Sequence, residues 1–271
     1  MTDRKHNPAR RRLLLNAAGT AAAAMAAGAA AAQTTSCQVT SKKWDRETDI
    51  ICVGSGAAAL TAAVESAALG NRVLVLEKGP ITGGTTRKSG GVFWIANHHW
   101  LRQQGSDDRK ADCMQYLCRM AYSERYRADS PTLGLDPSAY ALLEAFYDNG
   151  YKMVDRLREL GALRIAPFQM WQMKRPEPDY QDHLPENKVS QGRSLGVKRS
   201  DGTDGGGADY VDQLVEHLQG RGVEILTDHR VMNLVRGANN DIIGVEVETE
   251  DGTIAVRSRK AVIFGTGGYP H

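Results

Sequence analysis

Asp49-Ile50-Ile51-Cys52-Val53-Gly54-Ser55-Gly56-Ala57-Ala58-Ala59-Leu60 is the stretch that decides the fold. Residues 48–53 form a short apolar run that stops at a glycine turn, the pattern of a buried strand. Residues 57–69 are Ala-rich, with Leu60, Val64 and Ala67 on one helical face, and Gly70 closes that helix. Val73-Leu74-Val75-Leu76 then reads as a second buried strand. Strand, glycine turn, helix and parallel strand make the βαβ unit of a doubly wound α/β sheet. In that setting Gly54 permits the tight turn, Gly56 admits a pyrophosphate close to the backbone, and Ala59 is small enough for close helix–strand packing. The helix N-terminus presents free N–H groups and the positive dipole end to phosphates.

Working outward, Glu77 lies 21 positions after Gly56, at the end of the second strand. A carboxylate there accepts hydrogen bonds from ribose hydroxyls and repels a 2′-phosphate. The next stretch is Glu77-Lys78-Gly79-Pro80-Ile81-Thr82-Gly83-Gly84-Thr85-Thr86-Arg87-Lys88-Ser89-Gly90-Gly91. Its small residues let a flat ring approach the backbone, and its hydroxyls supply donors without bulk. Farther on, Gly222-Val223-Glu224-Ile225-Leu226-Thr227 precedes Val231, and Ala261-Val262-Ile263-Phe264-Gly265-Thr266-Gly267-Gly268-Tyr269 closes the chain's last strand with a second glycine signature.

These five features, in this order across residues 48–271, resemble the FAD-binding domain of the fumarate reductase, succinate dehydrogenase and 3-ketosteroid dehydrogenase flavoprotein superfamily. Val92-Phe93-Trp94-Ile95-Ala96-Asn97 resembles the steroid dehydrogenase branch in particular. The resemblance implies FAD as cofactor. It places Gly54, Ser55, Gly56, Ala58, Ala59, Glu77 and Lys78 on the adenosine and pyrophosphate side. Gly83, Gly84, Thr85, Thr86, Ser89, Gly90 and Gly91 then run toward the isoalloxazine, Val231 offers its backbone to the adenine, and Gly265, Thr266 and Gly267 close the second signature. Relatives that bind FAD covalently carry a His in the glycine loop, and alignment on Ser89-Gly90-Gly91 puts Gly84 there, so the resemblance implies non-covalent FAD.

The implied reaction is hydride transfer that forms or reduces a C=C bond next to a carbonyl, with a steroid-like ketone or a dicarboxylate as substrate. An external cytochrome or quinone would exchange the electrons. The alternative is a non-catalytic or partner-dependent flavin-binding or electron-transfer fragment. The resemblance covers the N-terminal part of such proteins, so a capping domain and a further flavin-binding segment are expected beyond it. It assigns no catalytic acid or base within these residues.

Between the motifs, residues 108–128 and 137–160 have helical spacing, and 161–207 reads as ordered loops, giving a helical and loop insertion over about 100–207. Residues 208–221 read as a helix. Strands are expected at 223–227, 230–235, 242–249, 253–258 and 260–264, with a hairpin turn at Glu250-Asp251-Gly252. The fold class is therefore a Rossmann-like parallel sheet with an added antiparallel hairpin region and a helical insertion.

The N-terminus carries an address. Arg10-Arg11-Arg12-Leu13-Leu14-Leu15 precedes an Ala-rich run that ends at Ala32, which resembles a twin-arginine signal over 1–32 and implies periplasmic export. The competing reading is a membrane anchor over 13–32, which Asn16, Gly19, Thr20 and Gly28 weaken. Residues 33–47 read as a polar linker. The chain of 271 residues has a formal net charge of +2 and no basic cluster beyond that N-terminus, which argues against a nucleic-acid partner. Cys37, Cys52, Cys113 and Cys118 form no CxxC pair, so ordinary thiols are expected and no metal site. His98 and His99 read first as packing or surface residues, and second as substrate or proton-transfer groups.

Overall fold

The protein's structure, a computed structural model, describes residues 43–169 and 175–268. Strand β1 (Arg46–Val53) leads through Gly54 into helix α1 (Ala57–Ala68), and β2 (Val73–Leu76) returns parallel to β1 with Ile50 to Val53 opposite Val73 to Leu76. The short helix α2 (Gly84–Arg87) and strand β3 (Val92–Trp94) follow. The insertion contributes α3 (His99–Gln103), α4 (Lys110–Ala121), α5 (Pro137–Glu159), β4 (Ile165–Pro167) and β5 (Ser194–Val197). Helix α6 (Gly207–Gly220), then β6 (Glu224–Leu226), β7 (Arg230–Arg236), β8 (Ile242–Thr249) and β9 (Gly252–Phe264) complete the order.

The main sheet has the order β6-β2-β1-β9-β8-β7. Its first four strands are parallel, and β9, β8 and β7 pair antiparallel. The expected βαβ unit is therefore present, and β9 enters on the far side of β1, so the strand order reverses at β1. That reversal is where open α/β sheets place ligands. On one face, Leu60, Ala63 and Val64 of α1 meet Val211, Leu214 and Leu218 of α6 over Cys52, Val73 and Val75. On the other face, Val245, Val247 and Val256 of the antiparallel strands pack on Ile51, Val53, Leu74 and Leu76. Alternate residues of β1 thus serve opposite cores, as the two-residue strand period requires. Leu214 is fully buried, and Leu214→Ala would cost about 2–5 kcal/mol by cavity formation.

Several boundaries differ from the sequence reading. The linker expected through residue 47 ends sooner, because β1 begins at Arg46. Asp45 already exchanges hydrogen bonds with Ala255, its N–H donating to the Ala255 carbonyl at 2.9 Å and its carboxylate accepting from the Ala255 N–H at 2.8 Å. The strands expected at 253–258 and 260–264 are one strand, β9, with a register irregularity between Thr48 and Ile50 of its partner. Ser258 sits at that irregularity and donates its hydroxyl to the Ala261 carbonyl at 2.6 Å. The hairpin loop is Glu250-Asp251, since Thr249 and Gly252 pair, and Gly252 takes a φ of 119°. Helix α4 stops at Ala121, short of the expected 128. Within 161–207, β5 pairs antiparallel with both β3 and β4 in a second, three-stranded sheet. The signal expected over 1–32, with Arg10, Arg11 and the alternative anchor, lies outside the described residues, as do Cys37 and Tyr269.

Candidate functional site

Three of the parallel strands, β1, β2 and β9, end at one cavity of about 210 Å³. Its base is stitched together by the backbone just past those ends. The Gly54 N–H donates to the Leu76 carbonyl at 2.7 Å, Gly265 to Val53 at 2.9 Å, and Glu77 to Leu226 at 2.8 Å. At Gly54 φ is 97°, and an added Cβ would stand 2.5 Å from the Gly265 carbonyl oxygen. Only a glycine meets both demands at this crossing of β1 and β9.

Glu77 organises the rim. It is 8% exposed, and one carboxylate oxygen accepts from the Ser55 N–H at 3.0 Å and from the Ser55 hydroxyl. The other accepts from the Gly79 N–H at 2.9 Å. The Ser55 oxygen in turn accepts from the Gly83 N–H at 2.8 Å. One buried acid therefore fixes both the glycine turn after β1 and the loop that carries α2. A carboxylate offers about four lone-pair sites, so three donors leave it room for one more. Thr86 closes the remaining side, its hydroxyl oxygen accepting from the Ala57 N–H at 3.0 Å.

The structure brings together most of the residues singled out from sequence. Gly54, Ser55, Gly56, Glu77 and Lys78 line the cavity from one side. Gly83, Gly84, Thr85 and Thr86 line it from the α2 loop, and Val231, Gly265, Thr266 and Gly267 from the far strands. Ser89 and Gly91 line instead an adjoining groove of about 460 Å³, which shares Thr85 and Thr86 with the cavity. Three residues are not on either wall. Ala58 is exposed on α1, because each helical residue turns about 100° away from the last. Ala59 is fully buried beneath the cavity, packed against Gly265. Gly90 is exposed between its two lining neighbours.

His229 and Arg230 also line the cavity and were not singled out. They enter through a tight turn in which Asp228 takes a φ of 55°, and the His229 ring donates from Nδ1 to the Thr227 carbonyl at 2.6 Å. A sequence signal existed in their position immediately before Val231, but no residue type there demands a cofactor.

His98 is 1% exposed and serves packing. Its Nδ1 accepts from the Leu101 N–H at 3.3 Å, capping α3, so Nε2 carries the proton that donates to the Gly192 carbonyl at 2.8 Å. Burial holds its pKa below 6.5, with the Gly192 contact opposing that. The described cysteines are buried free thiols. Burial pushes Cys52 and Cys113 up to about 12 and Cys118 up to about 11, which leaves them unreactive. Among the described residues no group of three or more His, Cys, Asp or Glu side chains is placed to hold a metal.

A dinucleotide's requirements match this cavity. The glycine turn leaves backbone where a side chain would intrude, the buried carboxylate has a free acceptor site, and hydroxyls from Ser55, Thr85 and Thr86 stand around it. Comparison with known proteins agrees. A family model described as FAD binding domain matches residues 49–271. Over 148 residues the chain is 45% identical to 4-oxocyclohexanecarboxylate 2-dehydrogenase of Sinomonas cyclohexanicum, covering 54% of this chain and 22% of that protein. Over 158 residues it is 30% identical to 3-oxosteroid 1-dehydrogenase of Mycolicibacterium smegmatis, covering 58% and 24%. The fold is shared with 3-ketosteroid delta1-dehydrogenase from Sterolibacterium denitrificans, with a TM-score of 0.66 and 22% identity over 83% of this chain and 48% of that one. The chain thus spans about half of that solved structure, and its matches cover under a quarter of the two curated relatives' length.

Proposed function

The chain belongs to the FAD binding domain family, and from that premise we propose that it is the cofactor-holding part of an oxidoreductase that forms or reduces a C=C bond next to a carbonyl. FAD is the cofactor. When bound, FAD supplies the two-electron acceptor or donor, and the protein supplies binding, orientation and exclusion of water. The observation that carries this reading is the convergence of Gly54, Glu77 and Gly265 on one cavity at the ends of three parallel strands.

In this proposal the free acceptor site of Glu77 receives a ribose hydroxyl. The pyrophosphate lies against Gly54, Ser55 and Gly56, and Val231 presents its backbone to the adenine. Gly84 lines the cavity without a side chain, which supports a non-covalent flavin. Similarity to a cyclic ketone dehydrogenase and a steroid dehydrogenase favours a ketone substrate over a dicarboxylate. A cytochrome or quinone is the proposed electron partner. The test is anaerobic addition of a saturated cyclic ketone to the FAD-loaded protein. Bleaching of the oxidised flavin band is expected. A flavin that stays oxidised with every cyclic ketone, and is not reoxidised by an enone after chemical reduction, would contradict the oxidoreductase reading and favour a flavin-binding carrier.

We further propose that the protein is exported. Arg10-Arg11 ahead of a weakly apolar, Ala-rich run supports this. Changing both arginines to lysine keeps the charge but removes the guanidinium geometry. Precursor should then accumulate in the cytoplasm, and export at the normal rate would rule out the twin-arginine route.

A further inference from the structure

Helix α2, which carries the glycine loop beside the FAD cavity, is a single turn of four residues with no side-chain cap. One turn fixes several torsions for one hydrogen bond, so it does not stand on its own. Its support comes from helix α6. The Gly207 N–H donates to the Ser89 carbonyl at 2.9 Å, and a Cβ at 207 would lie 1.9 Å from the Thr86 carbonyl oxygen. A Cβ at Gly83 would stand 2.8 and 3.0 Å from the two methyls of Val211. The loop therefore lies close on α6, with a glycine on each side of the contact. Arg87, the last residue of α2, fastens it there. Its Nε donates to the Thr82 carbonyl at 2.6 Å. Its two terminal nitrogens donate to the two carboxylate oxygens of Asp212 on α6 at 2.5 and 3.3 Å.

The Asp212 side chain is 62% exposed and that of Arg87 26%. An ion pair so placed adds little to folding stability, because water and salt screen it. Arg87 lines neither the cavity nor the adjoining groove. Its planar guanidinium nevertheless spans three acceptors at once, one on the loop and two on α6, which the point charge of a lysine does not do. The start of α2 is thereby held where the Gly83 N–H donates to the Ser55 hydroxyl oxygen at 2.8 Å, and Ser55 in turn bonds Glu77. All of these contacts join protein groups, so they order the loop independently of the cofactor. A site ordered in advance binds more tightly than one that its ligand must order.

We propose that Arg87 and Asp212 are positioning residues, a latch that sets the glycine loop against α6 and thereby raises the affinity of the cavity for FAD. The proposal rests on the reading that this cavity holds FAD. Thr86 carries the effect to the site, since its hydroxyl oxygen accepts from the Ala57 N–H at 3.0 Å and the residue lines both cavity and groove. With the latch open, residues 82–87 lose their tie to α6, and FAD has to order them as it binds.

The experiment is fluorescence titration of apoprotein with FAD in the parent, Arg87→Gln, Asp212→Asn and the double variant, with urea unfolding of each apoprotein as the control. Arg87→Gln should weaken FAD binding ~10-fold, the cost of ordering roughly one freed residue of backbone. Asp212→Asn, at an exposed position that the fold tolerates, leaves the Thr82 contact in place and should weaken binding ~3-fold. The double variant should bind within ~2-fold of Arg87→Gln, because a latch already open has no second half to lose. The urea midpoints should change little, as for other exposed pairs. At saturating FAD, the visible circular dichroism of the bound flavin should differ between Arg87→Gln and the parent, since residues 83–91 run toward the isoalloxazine in the proposed binding mode. A residue that serves folding alone would leave that spectrum unchanged. Unchanged FAD affinity in both single variants, additive losses in the double variant, or a parent-like flavin spectrum in Arg87→Gln would overturn the latch. Weaker FAD binding in Glu77→Ala with none in Arg87→Gln would overturn it and leave the cavity reading intact. A parent that takes up no FAD would overturn the cavity reading and the latch together.

Discussion

Gly265 touches Ala59 where β9 runs under α1. An added Cβ at 265 would lie 2.6 Å from both the Cβ and the backbone nitrogen of Ala59, and 2.8 Å from its Cα. Gly265→Ala should therefore destabilise the fold by about 1–3 kcal/mol, the usual penalty of overpacking, read by urea unfolding. Adding Ala59→Gly should restore only part of this, because two of the three nearest atoms are backbone. Unchanged stability in Gly265→Ala would show that α1 moves aside freely. The sequence displayed Gly265 only as part of the second glycine signature, since the identity of its neighbour depends on how α1 crosses the sheet. Glu77 was legible in place and in type. Its ties to Ser55 and Gly79 were not, because they exist only once the loop folds back over the strand end.

Elements differ in how far they announce themselves. Strands β1 and β2 and helix α1 show continuous apolar runs and a glycine turn, and α5 is capped by Asp136, whose carboxylate accepts from the Ala139 N–H at 3.0 Å, with Pro137 next. Strands β3, β4 and β5 have three or four residues each, and β3 pairs with β5 across more than a hundred positions of chain, so no local period reveals them. Helix α3 depends on the buried His98, whose neutral ring caps it. In the folded chain burial holds the His98 pKa below its ordinary 6.5. Between those two values the unfolded chain binds more proton than the folded one, so stability rises with pH across that interval and falls as the solution is acidified. His98→Asn keeps a capping oxygen and cannot titrate. Urea unfolding between ~pH 5 and ~pH 8 should show a shallower loss of stability on acidification in the variant than in the parent. Identical slopes would exclude His98 as a contributor.

At the scale of the whole molecule, the cavity forms because β9, almost two hundred residues after β1, pairs beside it and brings Gly265 to Gly54. The order of the motifs along the chain made this closure legible. The insertion's buried Arg193 cluster was not, because Asp108, Asp179 and Arg193 are ordinary surface residue types until the insertion folds around them. In the proposed function the strand-end cavity holds FAD reversibly, with Glu77 as a principal anchor. Fluorescence titration of apoprotein with FAD, in the parent and in Glu77→Ala, tests it most directly. Loss of hydrogen bonds to a charged acceptor is worth about 1.5–3 kcal/mol, so the dissociation constant should rise about ten- to a hundred-fold in the variant, and acid precipitation of the parent complex should release all the flavin. An unchanged dissociation constant in Glu77→Ala, or flavin retained in the washed pellet, would contradict it.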